Sequence, residues 1–169
     1  MTTIAVLATG PSMSQELADY VRERCPAVAV CDAYRLAPWA AALVCNDAIW
    51  WKVHPEALKF AGRKFCGQAY PGTEFLRGGR GFPAGSNSGL QGLRVAQLLG
   101  ATRILLLGFD MRGTHFFGAH PKPLRNSNPS KFASMCNQFR LWRGSPVVNC
   151  TPGSALTLFP AADLREALP

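Results

Sequence analysis

Two short loops of small residues, Thr9-Gly10-Pro11-Ser12 and Ser86-Asn87-Ser88-Gly89, each stand between an apolar, strand-like run and a helix-like run. A strand that stops at Gly and Ser before a helix leaves unpaired backbone N–H groups and the positive end of the helix dipole facing one point, which favours an anion. Each loop taken singly is also an ordinary turn with a helix N-cap. The pair reads as two jaws of a phosphate grip. Further along, His115 and His120 bracket Phe116-Phe117-Gly118-Ala119 in a segment that also carries Lys122 and Arg125. Imidazoles titrate near neutrality, so these two are candidates for moving a proton as well as for capping a loop or meeting a phosphate. His54, directly before Pro55, reads as structural.

Composition narrows the partners of such a site. The 169 residues suit one α/β domain over residues 1–169, with 48% apolar and 17% charged residues. No stretch approaches the roughly 18 apolar residues of a membrane helix, and the start lacks the charged region of a signal peptide. The six cysteines, Cys25, Cys31, Cys45, Cys66, Cys136 and Cys150, form no CxxC pair or Cys/His cluster. Neither zinc nor a disulfide framework is favoured, and reduced thiols in a cytoplasmic protein are the expectation. The net charge of +8 is uneven: between Phe75 and Ala162 stand ten Lys and Arg residues, and the only acid is Asp110. A basic half attracts phosphate, although it is also compatible with a solvated basic face. With no contiguous Lys/Arg run and no zinc-finger or RNP pattern, the balance favours a small phosphorylated ligand over nucleic acid.

The elements that must position these residues alternate along the chain. A continuous apolar run at 4–8 reads as a strand covered on both faces. Ser14 can cap a helix reaching about residue 24, which Pro26 ends. Strands are expected at 28–31 and 43–45, joined by a short helical crossover at 36–39. Helical patterns at 49–51 and 55–61 precede a weaker strand at 64–66. Residues 68–85, rich in Gly and Arg and without periodicity, read as a functional loop crossing the site. The helix at 88–99 is followed by a strand at 103–107, expected to be central, then a helix at 131–142, a strand at 147–150 and a helix at 161–167. The alternation implies a three-layer α/β domain with a mainly parallel, Rossmann-like sheet. Ligands in such folds sit at the carboxyl ends of the strands, where Gly10 and Ser12, Asp32, Asn46 and Asp47, and Asp110 and Arg112 would converge. Trp39, Trp50, Trp51, Phe82, Phe116 and Phe117 could line a base or sugar pocket, at most two of them touching ligand.

Read in order, Ala8-Thr9-Gly10-Pro11-Ser12, Val30-Cys31-Asp32, Asn46, Ser88-Gly89 and the run from Leu99 through Gly108-Phe109-Asp110 resemble the bacterial lipooligosaccharide sialyltransferases. The segments from Thr114 to His120 and from Val148 to Leu156 are similar to that family's catalytic-histidine and closing strand-loop segments, so the resemblance spans nearly the whole chain. A second group with a similar Gly-Pro-Ser start and Gly-x-Asp strand is the hydroxymethylpterin pyrophosphokinase-like proteins. Both handle nucleotides, and the resemblance implies a sialyltransferase-like fold with a nucleotide pocket. It implies that Gly10, Pro11 and Ser12 approach ribose and phosphate, and that Ser88 and Gly89 donate backbone N–H groups to phosphate, with Asn87 beside them counted among the ligand-site residues. Asp32 and Asn46 stand where the family places asparagines around the donor. Asp32 departs from that pattern, since a carboxylate accepts from hydroxyls but cannot donate as an amide does. Arg112 stands near a phosphate-binding tyrosine position, and a guanidinium can hold phosphate in a bidentate fork. Asp110, also counted among the ligand-site residues, can equally be a hydrogen-bond acceptor beneath the loop.

The resemblance further implies that a histidine takes the proton from an acceptor hydroxyl attacking an anomeric carbon, His120 before His115. The leading expectation is a small glycosyltransferase-like enzyme holding a nucleotide or nucleotide sugar, with no metal required. Sialyltransferases of this type carry a lid that so short a chain must supply from 68–85 or from a neighbouring subunit in a homo-oligomer. The alternative is a non-catalytic binder that sequesters a nucleotide-derived ligand, as phage-encoded proteins do. A third reading is pyrophosphoryl or nucleotidyl transfer, which usually calls for carboxylates holding magnesium.

Overall fold

The computed structural model describes residues 1–78 and 87–168. The short apolar runs become strands: β1 (Thr3–Leu7), β2 (Ala27–Val30), β3 (Ala42–Cys45), β4 (Arg63–Cys66), β5 (Glu74–Phe75), β6 (Arg103–Leu107) and β7 (Val147–Asn149). Between them lie the helices α1 (Gln15–Arg22), α2 (Ala48–Val53), α3 (Ser88–Leu98), α4 (Pro129–Gln138) and α5 (Leu164–Ala167). All the strand pairings are parallel, in one seven-stranded sheet ordered β5-β4-β3-β2-β1-β6-β7. Every residue of β2 and of β3 is buried, as expected for strands covered on both faces.

Successive strand residues point to opposite faces, so the sheet feeds two cores. Ala5, Leu7, Ala29, Leu43, Leu105 and Leu107 pack with Ala18 and Val21 of α1, Trp50 and Trp51 of α2, and Leu164 of α5. Ile4, Val6, Val28, Val44, Ile104 and Leu106 pack with Leu90, Leu93 and Ala96 of α3. The result is a three-layer, Rossmann-like α/β fold. Among the described residues, no helix is long and apolar enough to cross a membrane.

Local chemistry sets the element ends. Ser14 accepts from the Leu17 N–H at 3.3 Å and caps α1, and Gly100, at φ +90°, follows α3 where the chain must turn. The helix expected at 131–142 begins two residues earlier, because Asn128 accepts from the Lys131 N–H and Pro129 occupies the first turn. Strand β6 is not central. Residues 74–75 add a strand on the far side, so β2 holds the middle position.

The described part of the 68–85 segment does not cross the site. Residues 68–78 run along the opposite edge: the Gln68 side chain accepts from the Ala48 N–H, Glu74–Phe75 pair with β4, and Leu76 is buried in the α3-side core. The free edge of β4 offers this segment backbone partners that an open loop would lack. Residues 79–86, which include Phe82 and Ser86, lie outside the described residues.

Candidate functional site

The chain runs outward from β1 to β5 and then returns to the other side of β1 with β6, so the strand order reverses between β1 and β6. At the carboxyl ends of such a switch point the loops diverge and leave a crevice. A cleft of about 480 Å³ lies there, lined by loops after β1, β2, β3 and β6, by the start of α3 and by α4.

Its two small-residue loops play different parts. Thr9 and Gly10 line the cleft, whereas Pro11, Ser12 and Asp110 do not. The Gly10 N–H donates to the Gly108 carbonyl at 2.8 Å, and the Ser12 hydroxyl and N–H donate to Asp110 Oδ2 at 2.8 and 3.4 Å. These donors are engaged inside the fold, and α1 begins only after Ser14. The first loop therefore fastens β1 to the turn after β6, with Asp110 as the buried acceptor beneath it. It does not present a row of open N–H groups.

The second loop keeps the geometry of an anion site. Asn87, Ser88 and Gly89 all line the cleft at the start of α3, an 11-residue helix. Asn87 caps it by accepting from the Leu90 N–H at 2.8 Å. Among the described residues no partner is found for the Ser88 and Gly89 N–H groups, so they and the helix dipole remain available to a ligand. The Ser88 hydroxyl accepts from the Asn46 N–H at 3.0 Å, fixing the end of β3 against α3. Asn46, 4% exposed, also lines the cleft.

Across from this helix start lies a wall not anticipated at full length in the sequence. Helix α4 has no fully buried residue, and its Lys131, Phe132, Met135 and Gln138 face the cleft, as do Leu124 and Arg125 before it. The Gln138 Oε1 accepts from the Asn87 N–H at 2.9 Å and from its side-chain amide at 3.2 Å. Helix α4 and the segment before it thus wall the cleft from within this chain. The apolar residues of α4 follow an i, i+3 spacing that reads equally as a core stripe, and only tertiary placement turns them towards a cavity. Replacing Asn87 by alanine removes the cap and the side-chain half of the latch while leaving the backbone N–H on Gln138, with an expected loss of about 1–2 kcal/mol of stability. Hydrogen exchange should rise in α4 as well as at the start of α3; protection unchanged in α4 would contradict the latch.

Charge in the cleft is one-sided. Among the described residues, Arg112, Arg125 and Lys131 line it against the single acid Asp47. The Arg112 side chain lies over Gly153, where its Nη2 is 2.8 Å from the position a Cβ would take. Among the described residues, no cluster of three His, Cys, Asp or Glu is arranged to hold a metal ion. Of the aromatic candidates among the described residues, Trp50 alone lines the cleft, joined by Phe132.

Both candidate histidines line the same cavity. The His115 Nδ1 lies 2.9 Å from the Thr9 hydroxyl, and its ring stacks on Phe117 at 4.9 Å and 1°. The His120 ring is 4.3 Å from it, held by the His120 N–H donating to Asn126 Oδ1 at 2.8 Å. Burial lowers the pKa of both below 6.5; His120 nearby lowers His115 further, and Asp32 opposes the shift in each. Asp32 itself is fully buried beneath the cleft and does not line it. It accepts from Trp50 Nε1 at 2.9 Å and pairs with Arg35 at 2.8 Å. The sequence position suggested a ligand contact, and the 3-10 turn Cys31–Arg35 instead folds the carboxylate inward.

No protein-family model, curated protein or solved structure matches this chain.

Proposed function

We propose that the cleft holds a nucleotide or nucleotide-activated sugar, and that the protein is a small glycosyltransferase-like enzyme with His120 as its base. The observation that carries this reading is the charge pattern of one cavity: among the described residues, three cations and the start of α3 face a single acid at the switch point of the sheet. The phosphate sits between the Ser88 and Gly89 N–H groups and Arg112, Arg125 and Lys131. Phe132, Met135 and the Trp50 edge offer apolar surface for a base or sugar ring.

The chemistry follows from the same wall. An acceptor hydroxyl attacks the anomeric carbon and gives its proton to His120, while the bond from that carbon to the nucleotide phosphate breaks. The negative charge gathering on the departing phosphate is matched by the cations and helix start already around it. A base must be unprotonated. Because burial holds the His120 pKa below 6.5, transfer is expected to stay level from pH 8 to about 7.5 and to fall through a midpoint below pH 6.5. A profile whose rate already halves between pH 8 and 7 would remove His120 from this role.

The direct experiment is native mass spectrometry of ligand co-purifying with the protein, followed by incubation with nucleotide sugars and acceptor. His120→Ala should abolish transfer while leaving ligand affinity within about threefold. Recovery of a tightly held ligand chemically unchanged, with no transfer in the native protein, would instead identify a sequestering binder.

A further inference from the structure

Every histidine of this chain, three in all, gathers on one buried carboxylate. His54 Nε2 lies 3.5 Å from Asp32 Oδ1, His120 Nδ1 lies 3.9 Å from Asp32 Oδ2, and His115 rests against His120. The two imidazoles facing Asp32 are not equivalent. The His54 Nδ1 is within 3.0 Å of the Trp50 carbonyl and must donate to it, and its ring stacks on Trp50 at 4.6 Å. His54 is thereby fixed away from the cleft, which it does not line. The His120 Nδ1 is buried, has no hydrogen-bond partner among the described residues and faces the carboxylate, while the same ring reaches the cavity. A short closure would turn this 3.9 Å approach into a hydrogen bond.

We propose that Asp32 is a positioning residue for His120: its carboxylate accepts the Nδ1 proton, leaves Nε2 as the nitrogen open to a proton from the cleft, and balances the imidazolium formed there. The arrangement has the logic of a carboxylate that orients a histidine base without meeting substrate. Arg35, His54 and His115 are the other charged or titratable groups around the pair. Arg35 and a protonated His54 disfavour charge on His120, so Asp32 is the group in this cluster that can support it. The catalytic part of the inference rests on the base assigned to His120 above; the tautomer and the titration do not.

The test reads His120 by NMR of its imidazole nitrogens in the unliganded protein, beside binding of the common ribonucleoside 5′-monophosphates by calorimetry. In the native protein His120 should carry its neutral-state proton on Nδ1. In Asp32→Asn its titration should move down by roughly one pH unit or more, with monophosphate affinity kept within about threefold. Trp50→Phe, which removes a bond to Asp32 and leaves the carboxylate, should leave the His120 titration nearly in place. The proposal is overturned by an Nε2–H tautomer in the native protein, which decides the matter even where Asp32→Asn fails to fold. It is also overturned by an unmoved His120 titration in folded Asp32→Asn, or by a loss of monophosphate affinity there as large as in Arg112→Ala. A native protein that binds no nucleotide would defeat the proposed function while leaving the Nδ1–H prediction standing.

A separate observation lies in the floor of the same cleft. Cys31 and Cys45, at the ends of the adjacent strands β2 and β3, both line it, with their Sγ atoms 3.1 Å apart. Cys31 is the more exposed, and burial pushes the Cys45 thiol well above 9.0. We infer that this pair is an oxidation site for hydrogen peroxide. Peroxide takes the Cys31 thiolate to a sulfenic acid and leaves as hydroxide; the Cys45 thiol then closes the disulfide, and water departs. After peroxide treatment, peptide mapping should recover a Cys31–Cys45 cross-link that is absent from Cys31→Ser and reversed by dithiothreitol. Two free thiols at these positions, a link to Cys66 instead, or oxidation confined to surface methionines would overturn it.

Discussion

Gly10→Ala is expected to lower stability by about 3 kcal/mol, the upper end of the ordinary cost of forcing atoms into a packed site. A Cβ on Gly10 would stand 2.0 Å from Asp110 Oδ2 and 2.5 Å from the Gly108 carbonyl. Neither neighbour can yield cheaply. The carbonyl belongs to the backbone and already accepts from the Gly10 N–H, and Asp110 is held by Ser12 and 4% exposed. The cost is one of contact, so it falls on the fold before it falls on a ligand. Thermal unfolding should move down by roughly 10 °C, at the 2–4 °C per kcal/mol usual for a chain of this size. Ser12→Ala, which removes one hydroxyl donor, should cost only about 1–2 kcal/mol. An unchanged melting temperature in Gly10→Ala would mean that the β1 loop is not pressed against the turn after β6. It would also restore that loop as a free surface for phosphate.

The second large effect concerns affinity. Arg112→Ala and Lys131→Ala should each weaken binding of a ribonucleoside 5′-monophosphate by about 10- to 100-fold, since a hydrogen bond to a charged group contributes about 1.5–3 kcal/mol. The two residues face the cleft from different elements, the turn after β6 and the first turn of α4. Loss of one therefore leaves the other in place, and the double variant should lose most of the affinity. Both are exposed, so raising the salt should weaken binding to the native protein more than to either variant. Arg165→Ala is a fitting control: it removes an exposed cation paired with Glu16, on a surface outside this cavity. Calorimetry with equal affinities in native protein and double variant would falsify the cationic phosphate site.

The sequence by itself determined the fold class and pointed to the end of the sheet at which the cleft lies. Short apolar runs bounded by turn residues read as strands of a covered parallel sheet, and the intervening amphipathic stretches as its layers. Strand β5 was hidden because two residues carry no period, and α4 was partly hidden because its apolar stripe looks like a core face. The candidate site was legible as a set of residues near strand ends, and only partly as roles. Gly10 and Ser88 both follow the pattern of a small residue between strand and helix. Tertiary hydrogen bonds alone decide that the first loop is tied to Asp110 while the second faces a cavity. Asp32 likewise sits within two residues of a strand end, one past the expected strand and two past β2 as it folds. A 3-10 turn sends its carboxylate inward, beneath His120 and against Trp50. Sequence spacing fixes where a side chain leaves the backbone, whereas the partners that surround it come from segments as far as 106 residues away, as His115 is from Thr9, and those partners decide its protonation, its exposure and its role.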